Sequence, residues 1–125
     1  MGRNKIDKRN LLSENIRHWF DKYPVAMADV YCMAILPPGW ESLAEPIVAA
    51  AEAAGVGVDQ IKEKFGGLRI YLDNGTDELY KLCDDAERES LKTCQECGQR
   101  GTTTTSGWRL TLCDTHHTKR NNDRS

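Results

Sequence analysis

Four side chains in the last third of the chain have types and spacing suited to chemistry. Cys94 and Cys97 are separated by two residues, as are Cys113 and His116, and fifteen residues lie between the pairs. Thiolate and imidazole are donors that zinc prefers, and a tetrahedral ion needs two short hooks brought together by a loop. In Cys94-Gln-Glu-Cys97 both sulfurs can face one ion, and Gly98 lets the turn close at positive φ. A lone Cys-x-x-Cys is weak evidence, but a second hook at the same spacing is strong. Cys94, Cys97, Cys113 and His116 are therefore the expected ligands of a structural zinc ion. His117 competes for the fourth place, and the repeated two-residue gap favours His116.

The elements that must hold these ligands follow from local pattern. Thr102 to Thr105 are β-branched, Ser106-Gly107 is a turn signal, and Trp108 to Leu112 alternate like a strand. After Cys113 a short helix is expected, with Asp114 in its first turn suiting the helix dipole. A knuckle, a hairpin and a helix carrying the last ligands make a treble-clef-like unit over residues 94–117. A polar tail, 118–125, follows it.

Upstream, residues 10–93 read as an α+β core, preceded by a flexible basic segment, 1–9. Leu12, Ile16, Trp19 and Phe20 recur at helical spacing, which predicts a helix from Asn10 to Lys22 stopped by Pro24. Val25 to Leu36 is apolar apart from Asp29, and a buried strand and a short helix are both open there. Cys32 has no partner at metal spacing and reads as a packed thiol. Pro37-Pro38-Gly39 breaks the chain. A helix follows with Trp40, Leu43, Ala44, Ile47, Val48 and Ala51 on one face. Ser42 and Glu45 read as its capping box, Pro46 falls near the end of its first turn, and Gly55 is its left-handed stop. Val56 to Tyr71 alternates as a β-hairpin, with a slip near Asp59-Gln60 and Gly66-Gly67 at the turn. Its outer face would carry Lys62, Lys64, Arg69 and Tyr71. A last core helix begins near Asp77, with Leu79, Leu82, Cys83 and Ala86 buried and Asp84, Asp85, Glu87 and Glu89 outside. It runs almost directly into Cys94, so the metal unit should pack on the core.

Composition narrows the function classes. The chain has 125 residues, 39% of them hydrophobic, and a mean hydropathy of −0.61. That is one ordinary domain, or a small core plus a metal module that adds stability. No apolar run is long enough for a membrane span and no signal peptide opens the chain. An odd number of cysteines, five, with a zinc-spaced set among them, fits the reducing cytosol better than secretion. The net charge of −2 is uneven. Residues 1–22 hold six basic and three acidic side chains, residues 23–93 six and thirteen, and residues 94–125 five and three. An acidic middle argues against a protein that wraps duplex DNA.

Ile61-Lys-Glu-Lys-Phe-Gly-Gly-Leu-Arg-Ile-Tyr71, a helix, Cys-x-x-Cys-Gly, Trp108 and Thr-Leu-Cys-Asp-x-His116 resemble a group of small, mostly uncharacterised bacteriophage and prophage proteins. The resemblance spans residues 39–117. It implies zinc at Cys94, Cys97, Cys113 and His116 and an accessory role in the host cytoplasm.

Three function classes follow. The first is a non-enzymatic phage factor that docks on a host protein, such as a defence or nucleic-acid enzyme, its acidic face competing for a basic groove. The second is a nucleic-acid binder, with Arg100, Arg109, Lys119, Arg120 and Arg124 on phosphates and Trp108 on a base. In the treble-clef reading, Trp108 instead covers the metal site. The third is a nuclease of the His-Asn-His type, suggested by His117, Asn121 and Asn122. A four-ligand structural site keeps no open position for water or substrate, and that disfavours it.

Overall fold

The computed structural model describes residues 12–28, 30, 35–104 and 107–124, with side chains described as far as residue 120. At its middle, β1 (Gly57–Lys64) and β2 (Gly67–Asp73) pair antiparallel, Lys64 facing Gly67 and Gly57 facing Asp73. The register slips between Val58 and Gln60, so the interrupted alternation marks a bulge. Val58, Ile61, Leu68, Ile70 and Leu72 line the core side. Phe65 and Gly66 make the turn, at φ 55° and 82°, not Gly66-Gly67. Positive φ at both central residues is the mark of the type I′ hairpin turn. Gly67 is already in β2, and a Cβ there would lie 3.3 Å from Leu91 Cδ2.

Helices α2 (Glu41–Ala54) and α3 (Asp77–Ser90) pack on this hairpin and on each other. Ala44, Ile47, Val48 and Ala51 are the buried face of α2, and Gly55 ends it at φ 70°. The expected capping box does not form. A 3-10 turn, Pro38–Trp40, runs straight into α2, so Ser42 lies inside the helix and Pro46 in its second turn. Glu45 turns outward instead and accepts hydrogen bonds from Lys22 Nζ and the Tyr23 hydroxyl, both at 2.6 Å. Helix α3 starts at Thr76, whose Oγ1 accepts the Leu79 N–H. Leu79, Ala86 and Ser90 are buried and Cys83 is half-buried, but Leu82 is exposed. At about 100° per residue Leu82 sits ~60° round from Leu79, at the rim of the stripe.

The single helix expected from Asn10 to Lys22 is broken. Asn10 itself lies outside the described residues. A 3-10 turn, Glu14–Ile16, precedes a short α1 (Trp19–Lys22). Ile16 and Trp19 are buried as their spacing implies. The polar residues between them serve the tertiary structure: Ser13 Oγ accepts the Leu36 N–H, and Asn15 Nδ2 donates to Leu36 O and Glu41 Oε1. Such side chains compete with helical hydrogen bonding. Residues 24–28 form a turn, and Glu52 Oε1 accepts the N–H groups of Val25 and Ala26. Cys32 lies outside the described residues.

The C-terminal unit contains β3 (Thr102–Thr103), β4 (Thr111–Leu112) and α4 (Asp114–Arg124). Knuckle, hairpin and helix follow in treble-clef order, so the whole is an α+β fold with a zinc-finger-like end. The second strand is shorter than expected and excludes Trp108. The Thr104 hydroxyl accepts the Leu110 N–H and donates to Trp108 O, which takes those groups out of a ladder. Among the described residues no helix is long and apolar enough to cross a membrane.

Candidate metal centre

The knuckle is built by its own backbone. Cys94 N–H donates to Gln99 O, Gly98 N–H donates to Cys94 O, and Gly98 sits at φ 80°. Thr93 and Arg100 bridge across its base. The second hook comes from the end of β4 and the first turn of α4, where Cys113 and His116 stand. Gln95 ties the hooks together: its N–H donates to Thr111 O, and its Oε1 accepts the Thr111 N–H.

Cys94, Cys97, Cys113 and His116 place one ligand atom each within 4.8 Å of one another. Cys97 Sγ and Cys113 Sγ are 3.7 Å apart, and Cys94 Sγ lies 3.5 Å from His116 Nδ1. A tetrahedral ion with sulfur at ~2.3 Å and nitrogen at ~2.05 Å requires edges of about 3.8 and 3.6 Å. The donor set suits zinc and these two edges match it, while Cys113 Sγ, 3.1 Å from His116 Nδ1, sits closer than a bound ion would hold it. Cys94 is fully buried against Leu110 and Leu112. His117 points elsewhere: its Nε2 lies 3.1 Å from Thr102 O, fastening α4 to β3.

Electrostatics agree with a site that needs a cation. Burial pushes the Cys94 thiol up, but the N–H groups of Cys113, Cys97 and Glu96 outweigh it and bring it to about 6. At Cys97 the Gln99 N–H lowers the pKa, but burial and the neighbouring sulfurs of Cys94 and Cys113 leave it raised. A bound divalent ion removes that repulsion between thiolates. Cys83 is different. Burial, then Asp84, pushes it up to about 11, which marks an inert packed thiol.

The unit is seated on the core at two places. Gly39 N–H donates to Gln95 O at 2.8 Å, and Trp40 Nε1 donates to Thr93 O at 2.8 Å. A Cβ on Gly39 would overlap the Cys94 carbonyl and come within 2.7 Å of Gly98 N. Trp40, wholly buried, is therefore a core anchor. At the other seat, Thr111 Oγ1 donates to Gly66 O at 2.7 Å.

The basic and aromatic candidates do not form one surface. Trp108 is 74% exposed and does not cover the metal centre. It shares a cleft with Arg109, Lys64 and Phe65. Lys119 and Arg120 lie beside His116, and Arg100 lines a third hollow with Lys92 and Asp114. The side chains of Asn121, Asn122 and Arg124 lie outside the described residues. On the hairpin's outer face Lys62 sits 5.9 Å over the Tyr71 ring, while Arg69 is only partly exposed and pairs with Glu87 at 3.4 Å. Sequence reasoning missed Phe65 as a surface group. The signal was its place beside Gly66, since a type I′ turn needs a second left-handed position.

No protein-family model matches the chain, and neither does a curated protein or a solved structure. The bacteriophage resemblance is carried by sequence motifs alone.

Proposed function

We propose that this is a non-enzymatic binding protein in which zinc is a structural rivet. The observation that carries the reading is the closed Cys3His set, with Cys94 buried and its knuckle resting on Gly39. Four protein ligands around a tetrahedral ion leave no position for water or substrate. In this reading zinc holds the C-terminal unit in register, and the surface acts by contact. The sequence resemblance supports a phage accessory role in the host cytoplasm. The exposed carboxylates of Asp77, Glu78, Asp84 and Glu89 on α3 support a host protein with a basic surface as the partner.

Cys97→Ser tests the metal's role. Binding energy at such a site is folding energy. The variant should lose zinc and unfold the C-terminal unit, seen as lost amide protection over residues 94–117. A variant that keeps both protection and melting temperature refutes the reading.

A further inference from the structure

The tip of the core hairpin meets the side of the second hairpin. The Phe65-Gly66 turn of the core hairpin abuts the zinc unit, where a Cβ on Gly66 would come 3.0 Å from Thr103 Cγ2. Beside this junction lies a cleft of about 570 Å³ lined by Glu63, Lys64, Phe65, Gly107, Trp108 and Arg109. A neighbouring cleft of about 540 Å³ shares Lys64, Phe65 and Arg109 and adds Arg69 and the Thr103 and Thr104 side chains.

Three features distinguish this place from ordinary surface. Phe65 and Trp108 are 64% and 74% exposed, the most exposed large apolar side chains among the described residues, and they face the same cleft. Phe65 is held at φ 55°, a left-handed conformation that bulky residues seldom adopt and that Asn or Gly would adopt more easily. An aromatic ring kept exposed at a backbone cost points to use of the ring. Third, the cations are available. Among the described residues no ion pair involves Lys64 or Arg109, and Lys64 Nζ lies 5.6 Å over the Phe65 ring.

We propose that this junction binds single-stranded nucleic acid, with bases against Phe65 and Trp108 and phosphates on Lys64 and Arg109. Aromatic faces stack on any base, and cations beside them track the backbone. The nearby carboxylates are engaged. Glu63 Oε2 accepts the Gly66 N–H at 2.7 Å, and Glu87 faces Arg69. With the chain's net charge of −2, so local a basic patch suits a short single strand better than a duplex. The inference uses the metal reading only in that the zinc unit must be folded to present Trp108.

Trp19 and Trp40 are at most 1% exposed, so an added ligand that stacks can quench only Trp108. The test titrates zinc-loaded protein with oligo-dT and oligo-rU of ~12 nucleotides, a fitting length for a single-strand site. Tryptophan emission and the anisotropy of labelled strand are the readouts. Expected are quenching, an affinity falling with salt at a log–log slope of about −1.4 for two phosphates, and roughly 5- to 150-fold weaker binding by Trp108→Ala. Lys64→Glu should weaken binding and flatten the salt slope. Both positions are exposed, so zinc content and melting temperature should be unchanged, which separates failure here from failure of the metal site. Absence of quenching, wild-type affinity in Trp108→Ala, or equal binding and competition by poly-glutamate would overturn the proposal. The last outcome would assign the cleft to acidic polypeptide.

Discussion

Gly39→Ala should detach the zinc unit from the core although it touches no ligand. The new methyl would overlap the Cys94 carbonyl and lie 2.7 Å from Gln95 C and Gly98 N, all backbone atoms that cannot swing aside. Ordinary contact needs roughly 3.4 Å or more, so the knuckle must retreat by about 1 Å, and such overpacking costs ~1–3 kcal/mol. The retreat stretches the hydrogen bonds Gly39 N–H to Gln95 O and Trp40 Nε1 to Thr93 O, each 2.8 Å. These are worth ~0.5–1.5 kcal/mol apiece. Against this, replacing glycine stiffens the unfolded chain and returns ~0.4–1 kcal/mol. The net loss is about 1–5.5 kcal/mol, or roughly 4–22 °C in melting temperature for a chain of this size. Thermal unfolding of zinc-loaded wild type and variant reads it directly, and the variant should release zinc to a chelator faster. A melting temperature within ~2 °C of wild type, with unchanged zinc release, would show that the knuckle does not bear on Gly39.

Two further substitutions probe the rest of the fold. Phe65→Asn relieves the left-handed strain at φ 55° and should stabilise the protein by about 1 kcal/mol in denaturant titration; a loss of stability would mean that the ring contributes to packing. Glu45→Gln leaves a neutral amide where Lys22 and Tyr23 now donate to a carboxylate. The Lys22 hydrogen bond, then that of Tyr23, holds the Glu45 carboxyl below its ordinary 4.5, so its stabilisation is present above that pH and fades as the carboxyl protonates. Wild type should therefore melt above the variant at pH 7, with the gap closing toward pH 3. A gap independent of pH would contradict the ion-pair account.

The clustering of Cys94, Cys97, Cys113 and His116 and the hairpin were legible because both rest on local pattern. Paired hooks at equal spacing need no knowledge of the rest of the chain, and the slip at Asp59 appears as a broken alternation. What stayed hidden depends on distant partners. Ser13 and Asn15 look like helix residues until Leu36 arrives to claim their hydrogen bonds. Ser42 and Glu45 have capping-box spacing, yet Pro38–Trp40 already supplies the preceding turn and Glu45 answers Lys22 instead. Trp108 and Phe65 are 43 positions apart in the chain, so no periodicity could bring them to one cleft. Gly39 reads as a loop breaker, and only the knuckle against it shows why a side chain is excluded.

The most direct measurement is metal analysis with X-ray absorption on gently purified protein. One zinc per chain, with a shell of three sulfurs and one nitrogen and no oxygen, is the expected result. A metal-free protein that is fully folded, or a shell with an oxygen in an open position, would contradict a structural rivet at Cys94, Cys97, Cys113 and His116.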